Sequence, residues 1–344
     1  AGDHGEKWHA LPPGHDPATG KQLAVSTANP AYTTVYGKGL AELGEERKDI
    51  AVITAAMPTG TGTSPFAKAF PDRFFDVGIA EGHGVTFAAG LATRGVRPIV
   101  TIYSTFLQRG YDNIIHDVAL QKLPVVFAMD RAGLVGEDGE THMGLYDIAY
   151  MLSVPGMTVA APKDGAEMLG LLRAAVDHTD GPFCFRYPRD ASPDIPGAMS
   201  EITATPYATW DVVRQGREFA ILAVGTMVNQ ALAAAELLAA DGVDVSVVNC
   251  RYMKPYDEVT LNAILASHTH VLTVEEGTIV NGFGSFISSV IHRQAPTVRT
   301  AVHGVPDRII YSAPRKKQLA ALGLDPAGIA DRVRAMHDSE ALAS

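Results

Sequence analysis

Glu81 stands where proton chemistry is easiest to build. It lies in the run FFDVGIAEGHGVTFAAGLATRGVRPIVTIYST (residues 74–105), after an apolar stretch broken at Gly78 and before an Ala/Gly-rich segment of helical character. In open parallel sheets ligands gather at the carboxyl ends of strands, so a carboxylate at such a junction can give or take a proton. A Glu in a helix's first turn can also simply complement the helix dipole. Three further groups carry chemistry. The stretch YSTFLQR sets Tyr103, Phe106 and Arg109 about one helical turn apart, a spacing that lets aromatics stack on a flat heterocycle or fill a core. The loop RAGLVGEDGETHMG (residues 131–144) mixes glycines with Arg131, Asp138 and His142, a polar and pliant combination typical of sites and of solvated loops alike. His142 suits proton transfer near neutral pH. Asp138 with His142 is too small a set for a metal site, and none is expected here. Arg131 and Arg189, the latter in FRYPRD, each follow an expected strand. Guanidinium groups grip phosphate through two parallel hydrogen bonds, and they also pair with surface carboxylates.

The elements that must position these residues alternate. Apolar runs at 50–56, 74–77, 97–103, 124–130, 158–162 and 183–188 read as strands. Helical segments lie between them, including one long helix over 105–121. Strands apolar throughout and separated by helices indicate a parallel sheet covered on both faces. The pattern lapses between Asp190 and about Arg217 and then resumes through 219–227, 243–249, 270–276 and 297–302. The reading is therefore α/β, with a linker at 1–27, a first domain at 28–195, a linker at 196–216 and a second domain at 217–344. The glycines of VEEGTIVNGFGSF follow a strand, but their spacing misses the dinucleotide and P-loop fingerprints, so they read as close helix-sheet packing.

Composition narrows the partners. The 344 residues are 47% hydrophobic and 19% charged, with a formal charge of -10, and no basic run carries interleaved aromatics. Nucleic acid is not an expected partner. No apolar stretch is long enough to cross a bilayer, and the polar, Pro/Gly-rich start is unlike a signal peptide, so a cytoplasmic location is expected without a membrane partner. Cys184 and Cys250 each fall inside an expected strand and read as buried small hydrophobes. The first residue is Ala and not Met, which reads as a processed or trimmed piece.

Three longer motifs are specific: FFDVGIAEGH, IYSTFLQRGYDNIIHDVALQKLPVVFAMDRAGLVGEDGETH and FRYPRD. Through them, and over nearly its whole length from KWHALPPGHDPATGK onward, the chain resembles the second and third domains of the 1-deoxy-D-xylulose-5-phosphate synthase family, thiamine diphosphate enzymes related to transketolase. The resemblance implies a pyrimidine-binding domain followed by a transketolase C-terminal domain. It implies a reaction in which pyruvate loses CO₂ and its two-carbon remainder joins D-glyceraldehyde 3-phosphate. Glu81 matches the family's essential glutamate, Tyr103 and Phe106 the aromatics packed on the cofactor's aminopyrimidine, and Arg131 and Arg189 the pair that holds the acceptor's phosphate. Asp138 and His142 match polar residues of the substrate space, with His142 as proton carrier. Arg109 matches an arginine near the site, and His9 a histidine of the linker. The family is dimeric, so a homodimer is expected.

Two departures stand out. Gly82 and Gly84 replace the Gln and Ala that usually follow the glutamate. The family's Gly-Asp-Gly segment with its distant Asn, which holds the diphosphate and Mg²⁺, does not occur in this sequence. The chain is therefore expected to be the C-terminal part of a synthase, needing a first domain or fragment and inactive without it. A C-terminal subunit of a split transketolase and a non-catalytic module of the same fold remain as alternatives.

Overall fold

The computed structural model describes residues 29–341. The stretch read as the first linker, and His9 with it, lies outside the described residues.

The first sheet contains β1 (Ile50–Thr54), β2 (Phe74–Asp76), β3 (Arg97–Tyr103), β4 (Val126–Asp130), β5 (Thr158–Ala160) and β6 (Phe183–Arg186). The second contains β7 (Asp211–Arg214), β8 (Glu218–Ala223) and β9 (Val245–Asn249), and, after β10 (Tyr252–Lys254), also β11 (His268–Thr278) and β12 (Arg299–Val305). The spatial orders are β10-β5-β6-β4-β3-β1-β2 and β12-β11-β8-β9-β7. All pairings are parallel except β10 on β5 and β7 on β9. The expected α/β architecture, two sheets flanked by helices, is what the chain adopts.

Alternation along the central strands explains the layers. Ile53, Val100, Ile102, Phe127, Met129 and Cys184 face one core, while Val52, Ile99, Val126, Ala128, Phe183 and Phe185 face another under helices Tyr32–Glu46 and Gly165–Asp177. The first of these cores does not stop at the domain boundary. Ala220, Leu222, Val248 and Met253 of the second half belong to it, so the two halves share buried apolar surface. Both cysteines are free and buried.

Three local features differ from the sequence expectation. The helix expected over 105–121 is broken into Ser104–Leu107, a 3₁₀ turn Gln108–Gly110, Tyr111–Asn113 and a π-helical stretch Ile114–Ala119. Close contact explains the break: a Cβ on Gly110 would lie 2.9 Å from Val85 Cγ2 and 3.7 Å from the Glu81 carbonyl, so this segment is pressed onto helix Glu81–Ala92. Such irregular turns gather at functional sites. Strand β10 was not anticipated; it leaves the second half to extend the first sheet. Strand β7 falls within the stretch 196–216 that reads as linker, and forms an edge of the second sheet.

Candidate active site at the carboxyl edge of the first sheet

The strands that end at Asp76, Tyr103, Asp130 and Arg186 are parallel, so their carboxyl ends share one edge of the sheet. Every described candidate residue sits at or just beyond that edge.

Glu81 is the first residue of helix Glu81–Ala92 and is 3% exposed. The turn ahead of it is held by Asp76, whose Oδ1 accepts from Ala56 N at 2.7 Å and Gly78 N at 3.0 Å. Gly78 takes φ +69°, a conformation that costs a glycine little and other residues more. Glu81 Oε1 accepts from Arg109 Nη1 at 3.0 Å, across the contact that Gly110 makes possible. The Arg109 side chain is 61% exposed, so its guanidinium lies at the mouth of the site while the Glu81 carboxylate it reaches is buried.

Tyr103 and Phe106 form a stacked pair, with ring centroids 5.7 Å apart and planes 19° from parallel. The Tyr103 hydroxyl rests against the Gly60 backbone, where a Cβ would come within 1.9 Å of it. Burial pushes the phenol up to about 12, with Arg131 opposing the shift and Asp130 adding to it. His142 meets Phe106 edge-on at 5.2 Å, and its Nδ1 shares a hydrogen bond of 2.9 Å with Thr141 Oγ1.

The two expected phosphate arginines are placed differently. Arg131 adopts φ +56°, the kind of strained backbone that persists where surroundings enforce it. Its guanidinium lies 4.1 Å from the Tyr103 ring centroid and donates through Nη1 to Asp130 Oδ2 at 3.1 Å and to the Gly60 carbonyl. Arg189 instead pairs with Asp138, Nε to Oδ2 at 3.1 Å. Asp138 belongs to the loop that begins at Arg131 and carries His142, so both arginines border the same loop.

Sequence reasoning missed Asp130. It ends the apolar run PVVFAMD, is fully buried, and accepts from Thr33 Oγ1 at 2.8 Å and Arg131 N at 2.6 Å. A carboxylate closing an otherwise apolar strand beside an arginine was the available signal; its partner Thr33, 97 residues away, was not visible. Burial pushes Asp130 up to about 6 despite Arg131. In the unfolded chain an Asp ionises near about 4. Between about pH 4 and 6 the folded protein therefore keeps a proton that the unfolded chain has lost, and stability falls as pH rises through that window. Glu275, pushed up to about 7 by burial, contributes with the same sign. Asp130→Asn is expected to reduce the slope of the urea midpoint across this window. An undiminished slope would mean that Arg131 keeps the carboxylate ionised.

The cluster combines a buried acid, a paired aromatic platform and two arginines, which suits a flat heteroaromatic ring and a phosphate-bearing substrate. Among the described residues no group of three or more His, Cys, Asp or Glu is arranged to hold a metal ion. The residues present thus fit a cofactor's ring and offer no evident ligands for a metal-bound diphosphate.

The family model described as transketolase, pyrimidine binding domain, matches residues 28–194, and that described as transketolase, C-terminal domain, matches 208–329. Among curated relatives, 1-deoxy-D-xylulose-5-phosphate synthase 1 of Geobacter sulfurreducens is 47% identical over 324 residues, covering 94% of this chain and 50% of the relative. The synthase of Aquifex aeolicus is 46% identical over 328 residues, covering 95% and 51%. The chain therefore spans about half the length of the curated relatives it matches. Among solved structures, a split-gene transketolase described as an inactive β4 tetramer is 31% identical with TM-score 0.80, covering 89% of this chain and 98% of that one. A transketolase mutant from Pichia stipitis, 18% identical with TM-score 0.76, covers 90% of this chain and 46% of its own, and shares the fold.

Proposed function

The chain belongs to the transketolase family, and on that premise we propose that it forms the C-terminal half of a 1-deoxy-D-xylulose-5-phosphate synthase. In this reading pyruvate is the donor, D-glyceraldehyde 3-phosphate the acceptor, and Mg²⁺ and the cofactor's diphosphate are held by residues other than those described. The observation that carries it is the gathering of Glu81, Tyr103, Phe106, Arg131 and Arg189 at one sheet edge, in a chain 46–47% identical to such synthases.

Thiamine diphosphate, when bound, supplies the carbanion chemistry that the protein cannot. Glu81, 3% exposed at the start of its helix, would hydrogen-bond the cofactor's ring and exchange a proton with it. Tyr103 and Phe106 orient that ring by stacking. Arg131 and Arg189 fix the acceptor's phosphate by charge-assisted hydrogen bonds. His142, at the edge of Phe106, carries a proton on the substrate side.

The test is kinetic. Arg189→Ala in the enzyme completed with its diphosphate-binding part should raise KM for the phosphorylated acceptor roughly 10- to 100-fold, the loss of about 1.5–3 kcal/mol of charged hydrogen bonding. KM for pyruvate should hardly move. Equal losses for both substrates would remove the assigned phosphate site. A second reading, the C-terminal subunit of a split transketolase, draws support from the split-gene relative that this chain covers almost end to end. The two part on CO₂, which a ketose phosphate donor does not release.

A further inference from the structure

The loop 131–144 bears Asp138 and His142, yet much of what holds it comes from the second half of the chain. Leu134, Val135, Met143 and Leu145 are buried among Phe219, Ile221, Met227 and Leu272, so the loop's apolar side is part of the C-terminal domain's core. Polar anchors flank the two site residues on both sides. Ahead of them, Glu276 Oε1 accepts from Leu134 N at 2.9 Å and Gln318 Oε1 accepts from Gly136 N at 3.0 Å. Behind them, Thr278 N donates to the Leu145 carbonyl at 2.9 Å.

These anchors are themselves fixed. Glu276 is 3% and Gln318 4% exposed. Arg315 grips Glu276 through Nη2 at 2.5 Å and Nε at 3.1 Å, and its Nη1 reaches Asp190, the neighbour of Arg189. Gln318 Nε2 donates to the Tyr311 carbonyl at 2.9 Å, which turns its oxygen toward the loop. Contact is close enough to require glycine: Gly133, at φ +81°, would bring a Cβ within 2.7 Å of Glu276 Cδ. Glu276 Oε1 accepts from Leu134 N and from Arg315 Nε together, so the loop amide and the ion pair share one acceptor. A buried amide left without its acceptor costs about 1–3 kcal/mol.

We infer that Glu276 and Gln318 are positioning residues, through which the C-terminal domain sets the conformation of the loop that carries Asp138 and His142. The catalytic meaning of that loop rests on the synthase reading; its anchoring does not.

Hydrogen exchange on the 344-residue chain separates the two. Gln318→Ala should speed amide exchange in peptides covering 134–142 by about tenfold or more, as the loss of a buried hydrogen bond predicts. Exchange in β4 and β8 should stay unchanged, and Glu276→Gln, which keeps an acceptor for Leu134 N, should retain most of the protection. Unchanged loop exchange would overturn the inference, as would faster exchange spread evenly through the C-terminal domain, the mark of a residue that only stabilises the fold. In the completed enzyme, Gln318→Ala should raise acceptor KM more than it lowers kcat, and a loosened loop with unaltered kinetics would also count against positioning. If the wild type shows no synthase activity, the reading of function fails while the exchange result still decides the anchoring.

Discussion

Glu81→Gln should lower turnover of the completed enzyme by about 10²- to 10⁴-fold, the range for losing a positioned proton-transfer group. Stability should hardly change. Gln keeps the size of the side chain and an oxygen for Arg109, and that arginine is 61% exposed, so the pair it loses is worth only about 0–1 kcal/mol. The contrast between the two readouts matters because Glu81 opens a helix. If its carboxylate served only the helix dipole, the substitution would cost about 0.3–1 kcal/mol of stability and leave catalysis alone. A large kinetic loss with a small shift in Tm is what the site requires. Near-normal turnover would favour the non-catalytic alternative. The adjoining Gly82 and Gly84 bear on the same point, since a Cβ at Gly82 would come 2.7 Å from Asn113 Oδ1 and would displace that side chain. Restoring Gln at 82 therefore means moving Asn113 as well.

The second large effect concerns stability. Asp147 and Arg186 form a buried ion pair, Nε to Oδ2 at 2.7 Å, with the arginine 6% and the aspartate 1% exposed. Arg186 Nη2 also donates to the carbonyls of Gly144 at 3.2 Å and Glu276 at 3.0 Å. One guanidinium thus ties β6 to the end of the loop 131–144 and to β11 in the second sheet. Asp147→Ala removes the one carboxylate hydrogen-bonded to it and leaves two carbonyls and the more distant charges of Glu276 and Glu275, and the expected loss is about 3–5 kcal/mol. For a protein of this size that is a fall in Tm of about 4–7 °C. Replacing both partners by apolar residues of similar volume should recover most of the loss, because the penalty lies in the unpaired charge. Loss below about 1 kcal/mol for the single variant would mean that water reaches Arg186 and that the pair is not a junction between domains.

How much of this was legible in the sequence follows from the range of the interactions. Continuous apolar strands such as 97–103 and 124–130 announced a covered parallel sheet, and the break at Gly78 placed Glu81 at a helix start. Those signals are local. The division of the segment after Tyr103 was hidden because it depends on Gly110 meeting Val85 on another helix. Strand β10 was hidden because three residues with no alternation gain their partner from β5 in the other half of the chain. The anchors of the loop 131–144 are farther still: Gln318 and Gly136 are 182 residues apart, and nothing in either neighbourhood marks the pairing. The arginines illustrate both sides. Their placement at strand ends was readable, but the capture of Arg131 by Asp130 and of Arg189 by Asp138 depends on side-chain geometry.

The most direct test of the central claim is the fate of the carboxyl carbon of pyruvate. The chain is combined with a diphosphate-binding part from a synthase relative, and thiamine diphosphate, Mg²⁺, carboxyl-labelled pyruvate and D-glyceraldehyde 3-phosphate are added. The account predicts labelled CO₂ released one-for-one with 1-deoxy-D-xylulose 5-phosphate, and neither product when Glu81 is replaced by Ala. Transfer from a ketose phosphate to an aldose, with pyruvate untouched and no labelled CO₂, would contradict it.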